Sequence, residues 1–316
     1  MKHLFRPPKQ KTVVDHVSLS VRSGEFFGII GSNGAGKTTF LKMLSCLLCP
    51  DAGGGRVNGH DLVRQRSDVR RSVALAPAGG FLGMLWQLSG RENLLFRARL
   101  CGIPAAEAER RADYVLGRLE VAYKAHEHSW NWSAGERQKF ALAMTFMART
   151  PLVMLDEPTS HLDPRVSRLV REFVKGELNQ RNGQTVMMST HYLEEADLLC
   201  DRVAILREGQ ILACDTPARL KQIYAPERIL EIRATGYRRE AGRRAKERCG
   251  LAQLLEHFED VTTGQVRLRP KWPDGVIDPD GLCRELAASG VAITAAERVA
   301  PTLDDVYFQL AREQIA

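Results

Sequence analysis

Long apolar runs are the first thing this sequence lacks. None approaches the roughly 18 consecutive apolar residues that mark a membrane-spanning helix, and the opening "MKHLFRPPKQ" has no apolar core of the kind a secretory signal carries. The expectation is a chain that folds and stays in the cytosol. Cysteine is scarce and odd in number, seven in 316 residues, scattered through apolar or helical contexts as where thiols remain reduced. Cys46 and Cys49 form a C-x-x-C, but the apolar "FLKMLSCLLC" around them holds no second ligand pair. They are therefore read as positions on a packed helix face rather than a metal site. No internal repeat, low-complexity tract or heptad array is visible, and nothing suggests fibrous or disordered character.

What is present is ordinary globular material. With 44% hydrophobic and 26% charged residues, the chain can bury one large core and one smaller one. The net charge of +7 suits an anionic partner, whether nucleotide, membrane surface or nucleic acid, and does not choose among them.

The segment "VVDHVSLSVRSGEFFGIIG" predicts two strands. Val17, Leu19 and Val21 alternate with polar residues, Ser23-Gly24 marks a turn, and "FFGII" is the continuous apolar run of a strand buried on both faces. A glycine-rich loop and the amphipathic "FLKMLSCLL" follow, closed by "CPDAGGG". Helical patterning from about Arg91 to Leu119 is interrupted at Gly102 and Pro104, and a further helix starts at Ser133. The strands "PLVMLDEP" and "QTVMMST" come later, with the helical "VSRLVREFVKGELNQ" between them. Such alternation predicts a mainly parallel sheet covered by helices. Beyond Leu220 to Pro226 the pattern changes to short strands, "RILEIRATG", "QVRLRP" and "VAITAAERV", separated by the helix-like "RRAKERCGLAQLLEHF" and "DGLCRELAAS". A small α+β domain is expected there, giving domains 1–222 and 223–316. The basic run Arg238 to Arg248 is read first as a solvated helix face, with an anionic surface as the alternative.

Chemistry enters at "GSNGAGKT", Gly31 to Thr38, which matches G-x-x-x-x-G-K-[ST] between a strand and a helix. In that context Ser32, Asn33, Gly34, Ala35, Gly36, Lys37, Thr38 and Thr39 are assigned to a nucleotide. Glycines let backbone amides converge on phosphates, the helix start adds positive partial charge, Lys37 reaches the outer phosphates and Thr38 can ligate Mg²⁺. At the end of the strand "VMLDEP", Asp156 is placed to support the metal through water and Glu157 to polarise an attacking water.

A GTPase, small-molecule kinase, motor or transport ATPase would all fit so far. "WSAGERQKFALA", Trp132 to Ala143, separates them. Here the sequence resembles the ATP-binding cassette family, whose ATPase domains carry a second glycine-containing motif ahead of the acidic strand. Ser133 and Gly135 match that motif, while Trp132, Ala134 and Glu136 depart from its usual leucine, glycine and glutamine. The resemblance implies that this helix start caps the γ-phosphate held by an opposing subunit, consistent with a serine hydroxyl and unpaired amides at a helix N-terminus. "SHLD", ending at Asp163, resembles the family's interface-crossing loop, although His161 replaces a glycine. "STHYLEEAD" places His191 where the family has a histidine that contacts the γ-phosphate and orders the attacking water. The family's usual glutamine after "VALA" is absent, Ala78 standing in its place and Gln87 being the nearest glutamine. Phe5 is the adenine-stacking candidate by position, although "RPPKQK" behind it resembles an insertion.

The resemblance implies an α/β fold with a P-loop NTPase core, a mainly parallel sheet, an antiparallel β subdomain and a helical subdomain, plus the C-terminal α+β domain. "PTLDDVYFQL" resembles the end of an accessory domain of drug, antibiotic and polysaccharide export ATPases. The implied function is the ATP- and Mg²⁺-using subunit of an exporter. It would act as a homodimer or with a related ATPase, on the cytoplasmic face of a polytopic membrane permease. Phe81, Leu82, Met84, Leu85 and Trp86 would either receive that partner or pack into the helical subdomain. The alternatives are a non-transport cassette acting on a soluble or nucleic-acid partner, and a P-loop kinase or GTPase. Against them stand the missing second ATPase domain and coiled coil, and the absence of a guanine-specific motif.

Overall fold

The computed structural model describes residues 11–79, 83–225, 229–251, 253–260, 263–271 and 278–313. The chain divides into two compact units, Met1–Leu220 and Lys221–Ala316. Phe5, Phe81 and Leu82 lie outside the described residues.

The first unit begins with strand β1 (Phe26–Ile30) and helix α1 (Lys37–Leu44), followed by a two-residue-per-strand hairpin, β2 (Arg56–Val57) and β3 (His60–Asp61). Helix α2 (Arg66–Ser72) and strand β4 (Val73–Ala76) precede a helical region of α3 (Gly90–Leu100), α4 (Ala105–Arg118) and α5 (Ala134–Ala148). Then come β5 (Leu152–Asp156), α6 (Pro164–Glu172), β6 (Thr185–Thr190), α7 (Leu193–Leu199) and the pair β7 (Arg202–Arg207) and β8 (Gln210–Asp215); α8 (Pro217–Tyr224) contains residue 220, where the units divide.

The sheet order is β4-β5-β6-β1-β7-β8, parallel except that β8 runs antiparallel to β7. Parallel neighbours need crossovers, which the intervening helices supply. All five residues of β1 and of β5 are buried, as expected for strands covered on both faces. Phe27, Ile29, Met154 and Met187 form a core with Phe40 and Leu41 of α1, each fully buried side chain contributing about 1.5–3 kcal/mol. In the helical region Gly102, at φ 73°, and Pro104 separate α3 from α4, as the sequence predicts.

Three expectations need correction. Val17, Leu19 and Val21 do alternate and pack against the core, but residues 11–25 carry no strand: side-chain burial is met without a hydrogen-bonded ladder. The antiparallel portion of this unit is accordingly small, the β2–β3 hairpin and the β7–β8 pair. Cys46 and Cys49 are not on a helix face, because α1 stops at Leu44 and Cys46 turns left-handed at φ 57°. Cys46 is buried with its Sγ 3.5 Å from the Leu62 carbonyl, whereas Cys49 is exposed.

The second unit contains β9 (Ile229–Thr235), α9 (Arg239–Arg248), β10 (Gln253–Asp260), β11 (Gln265–Lys271), α10 (Pro279–Ala288), β12 (Ala292–Val299) and α11 (Leu303–Glu313). The third correction lies here: "RRAKERCGLAQLLEHF" is one helix and one strand, split at Gly250, which turns at φ 62°. Leu254, Glu256 and Phe258 alternate inward on β10, a period of two that the preceding helical pattern obscured. The sheet order β10-β11-β9-β12, antiparallel throughout, is the split β-α-β arrangement of ferredoxin-like folds. Ala241 and Ala245 of α9 and Leu282 and Leu286 of α10 pack on Leu230, Ile232, Ala234, Val266 and Leu268. The charged residues of α9 are mostly exposed, the arrangement of a solvated face.

The alternate residues of these strands carry charge. Arg269 donates to Glu231 at 2.8 Å and to Asp305 of α11 at 3.3 Å, and both carboxylates are almost wholly buried. Asp305 also accepts from the backbone and hydroxyl of Thr302, each at 2.9 Å, so the "TLDD" turn and α11 are tied to the sheet by one guanidinium. Replacing Arg269 with methionine would take the shared guanidinium from two buried carboxylates, leaving Glu231 its contact with Arg233 and Asp305 its bonds from Thr302, and a loss of about 3 kcal/mol is expected. Thermal unfolding and limited proteolysis of the full chain check this; an unchanged profile would show the network to be dispensable.

Candidate nucleotide site

The loop leaving β1 is built so that only glycine fits at two points. A Cβ on Gly31 would lie 2.2 Å from the Leu206 carbonyl oxygen, and one on Gly36 would lie 2.5 Å from that of Val13, at a φ of 105°. Ser32, Asn33 and Gly34 are exposed, whereas Ala35, Gly36 and Lys37 are buried, and no side chain caps the start of α1. The first amides of the helix are thus left for an anion. Lys37 is 4% exposed; its Nζ donates to the carbonyls of Gly31 (2.9 Å) and Ser32 (3.2 Å) and sits 3.3 Å from Glu157 Oε1. Thr38 is half-buried beside it, as is Thr39.

Strand register brings the acidic pair to this loop. Asp156 and Ser189 are partners on β5 and β6, and Ile29 of β1 is level with Ser189. Thr38 Oγ1 donates to Asp156 Oδ1 at 3.0 Å, and Ser189 Oγ donates to the same oxygen at 2.5 Å. Glu157 leaves the strand in the left-handed region, at φ 48°, its N–H donating to the carbonyl (3.0 Å) and hydroxyl (3.1 Å) of Ser189. His191 Nδ1 lies 3.1 Å from Glu157 Oε2, within ion-pair range but not aligned as a hydrogen bond, and its ring packs on Tyr192 at 4.1 Å. Lys37, Thr38, Asp156, Glu157 and His191 therefore form one cluster.

Ser133 and Gly135 stand at the start of α5 and Asp163 at the start of α6. Ser133 caps α5: its Oγ accepts from Glu136 N at 3.2 Å, while Glu136 Oε2 accepts from Ser133 N at 2.6 Å. Glu136, where the family has glutamine, serves as the returning half of this capping box and also accepts from the Tyr123 hydroxyl at 2.6 Å. Trp132 is buried and stacks on Phe140 with ring centroids 3.9 Å apart; Gly90 leaves the room, since a Cβ there would lie 2.4 Å from Phe140. A Cβ on Gly135 would meet only Leu162 and Val166, both at 3.8 Å, so packing within the chain does not demand glycine there. Asp163 caps α6, accepting from Val166 N at 3.0 Å. His161 adopts φ 61°, a conformation that explains the family's glycine, and its Nδ1 is 2.9 Å from Ser160 Oγ.

Ala78 and Gln87 are exposed in turns, and neither hydrogen-bonds to the cluster among the described residues. Leu85 and Trp86 are exposed, Trp86 by 64%, and Met84 is half-buried. The sequence reading missed Ser189 and Glu195. The signal for Ser189 was a hydroxyl inside the buried run "VMMST"; Glu195 is an acid 2% exposed at a helix start.

The chain matches the family described as ABC transporter over residues 14–160. It is 35% identical to the daunorubicin resistance ATP-binding protein DrrA3 of Streptomyces coeruleorubidus, covering 95% of this chain and 91% of that one. With the linearmycin resistance ATP-binding protein LnrL of Bacillus subtilis it shares 30% identity, over 82% of this chain and 80% of the relative. A solved ATP-binding subunit of an ABC transporter superposes with a TM-score of 0.60 at 29% identity, covering 66% of this chain and 86% of that one. No helix among the described residues is long and apolar enough to cross a membrane. A cradle for phosphate, an acid pair in strand register and near-full-length kinship with such proteins agree: the chain belongs to the ATP-binding cassette family of ABC transporter ATPases, which bind and hydrolyse ATP.

Proposed function

We propose that this chain is the ATPase subunit of an exporter whose membrane-spanning part is a separate polypeptide, with residues 1–222 as the ATPase domain and 223–316 as an accessory domain. The observation that carries it is the convergence of Lys37 and His191 on the two oxygens of Glu157, in a chain that aligns over nearly its whole length with an antibiotic-resistance ATP-binding protein. Ser32 to Thr39 hold the phosphates, Glu157 takes a proton from the attacking water and His191 orients that water. Thr38 and Asp156 are the residues that fit Mg²⁺. Their side-chain oxygens are 3.0 Å apart, and no cluster of three or more His, Cys, Asp or Glu side chains exists among the described residues. That donor set suits an ion held through a hydroxyl, one carboxylate, waters and substrate phosphates. The ion supplies neutralisation of phosphate charge.

Ser133 and Gly135 act on the nucleotide of a second copy, or of a related ATPase, across an interface that includes Asp163. Closure of the pair on two ATP molecules drives a polytopic permease on the cytoplasmic face of the membrane, and hydrolysis reopens it. The test is affinity capture of the Glu157→Gln protein with ATP from gently solubilised membranes of its host. Recovery of a polytopic membrane protein is expected; recovery of soluble proteins or nucleic acid alone would overturn the exporter reading.

A further inference from the structure

We propose that Glu195 is a positioning residue for hydrolysis, a buried clamp that holds the turn after Glu157 against the loop that carries His191. The inference rests on the roles given above to Glu157 and His191. Glu195 lies in the first turn of α7 and is 2% exposed. Its Oε1 accepts from the Thr159 hydroxyl at 2.8 Å and its Oε2 from the Thr190 hydroxyl at 2.9 Å. Thr159 is two residues beyond Glu157 and Thr190 is the residue before His191, and both threonines are buried. One carboxylate therefore reaches, with one oxygen each, the two segments whose side chains meet 3.1 Å apart at Glu157 and His191. Thr190 Oγ1 further accepts from Tyr192 N at 3.0 Å, closing the turn around His191.

Two features argue that the clamp serves geometry. Glu157 occupies a left-handed backbone conformation at φ 48°, which is unfavourable for a non-glycine residue and persists only where its surroundings hold it. Ser189 holds the start of that turn through the Glu157 N–H, and Ser160 N returns to the Glu157 carbonyl at 3.2 Å. Thr159, between them, is fixed by Glu195. Burying a carboxyl is also expensive: burial holds that of Glu195 above the ordinary carboxylate range, the two threonine hydroxyls working in the opposite direction. An apolar residue would fill the space more cheaply but would not join two loops at set distances.

Thr159→Val removes one arm of the clamp and nearly preserves shape. Expected is a fall in kcat of about 10- to 100-fold, the scale of a misplacement near 1 Å, with KM for ATP within about twofold because the phosphate loop is untouched. Thr159→Ser should restore most of the rate. Glu195→Ala should match Thr159→Val, and the double variant should be little worse than either, since both cut the same link. If Glu195→Ala fails to fold, the single-hydroxyl change still decides. A Thr159→Val protein with kcat within twofold of wild type, or one losing only KM or only melting temperature, would overturn the proposal. Glu157→Gln assayed alongside separates the levels: dead Glu157→Gln with active Thr159→Val sinks the clamp alone, whereas active Glu157→Gln sinks the assigned roles and the clamp with them.

Discussion

Exchanging Glu157 for glutamine is expected to lower ATP turnover by about 10²–10⁴-fold, the usual contribution of a positioned general base, and to leave ATP binding intact. The two halves of this expectation have separate origins. In the proposed function binding rests on Lys37, on the loop with its glycines at 31 and 36 and on the start of α1, none of which the exchange alters. Turnover needs a group that accepts a proton, and the glutamine amide does not. The substitution is nearly isosteric, so Ser189 still holds the backbone through the N–H at position 157. The ion pair of Glu157 with Lys37 at 3.3 Å is lost, and because it holds the lysine back from an anionic ligand, nucleotide affinity is expected to stay level or rise. Phosphate release and equilibrium binding of a fluorescent ATP analogue, measured on the same preparation, check both halves. Turnover within tenfold of wild type would remove the glutamate from its role.

The second large effect concerns two copies. Lys37→Ala and Gly135→Asp are each expected to abolish turnover, the first by removing the cation that meets the outer phosphates. The second works differently. In the isolated chain a side chain at 135 faces open space apart from Leu162 and Val166, so stability should change by no more than about 0.5–1 kcal/mol, mainly through helix propensity. An added carboxylate there would instead repel a phosphate presented by another subunit. When the two inactive proteins are mixed and allowed to exchange, a mixed dimer contains one site with an intact Lys37 facing an intact Gly135. Random pairing then predicts recovery of about a quarter of wild-type turnover, half of the dimers being mixed and half of their sites sound. No recovery despite proven exchange would place Gly135 in the site of its own chain.

The sequence was legible where chemistry and local structure coincide. "FFGII" and "LVML" read as buried strands because neither contains a polar interruption, and "GSNGAGKT" reads as a phosphate loop by its pattern between strand and helix; the close approaches at Gly31 and Gly36 explain why those two positions are glycine, whereas a Cβ on Gly34 would meet nothing. Elsewhere the signal was ambiguous. Val17, Leu19 and Val21 have the alternation of a strand without its partner, since alternation reports burial and not hydrogen bonding. "QLLEHF" contains good helix formers, and only pairing with β11 makes it a strand. The contacts of Ser189 and Glu195 were hidden because they reach groups 33 to 36 residues away, Ser189 meeting Asp156 through strand register and Glu195 meeting Thr159 from a helix start, which no local pattern records. Arg269 and Asp305 are a similar case, joined across 36 residues.

The alignment of Ile29, Asp156 and Ser189 across three adjacent strands has a wider consequence. The spacing of the reacting groups is inherited from a ladder whose repeat is a property of the peptide backbone, about 4.8 Å from strand to strand. Loops and helix starts hang from that ladder without setting it, and away from positions fixed by close backbone approach, such as Gly31 and Gly36, they are open to change in composition. The departures of this chain from its family, Ala78, Trp132, Ala134, Glu136 and His161, all stand outside the strands, where Lys37, Ser133 and Gly135 nevertheless keep the family's pattern. A cassette of this kind can be refitted at its rim for a new partner while its chemical centre keeps the same dimensions.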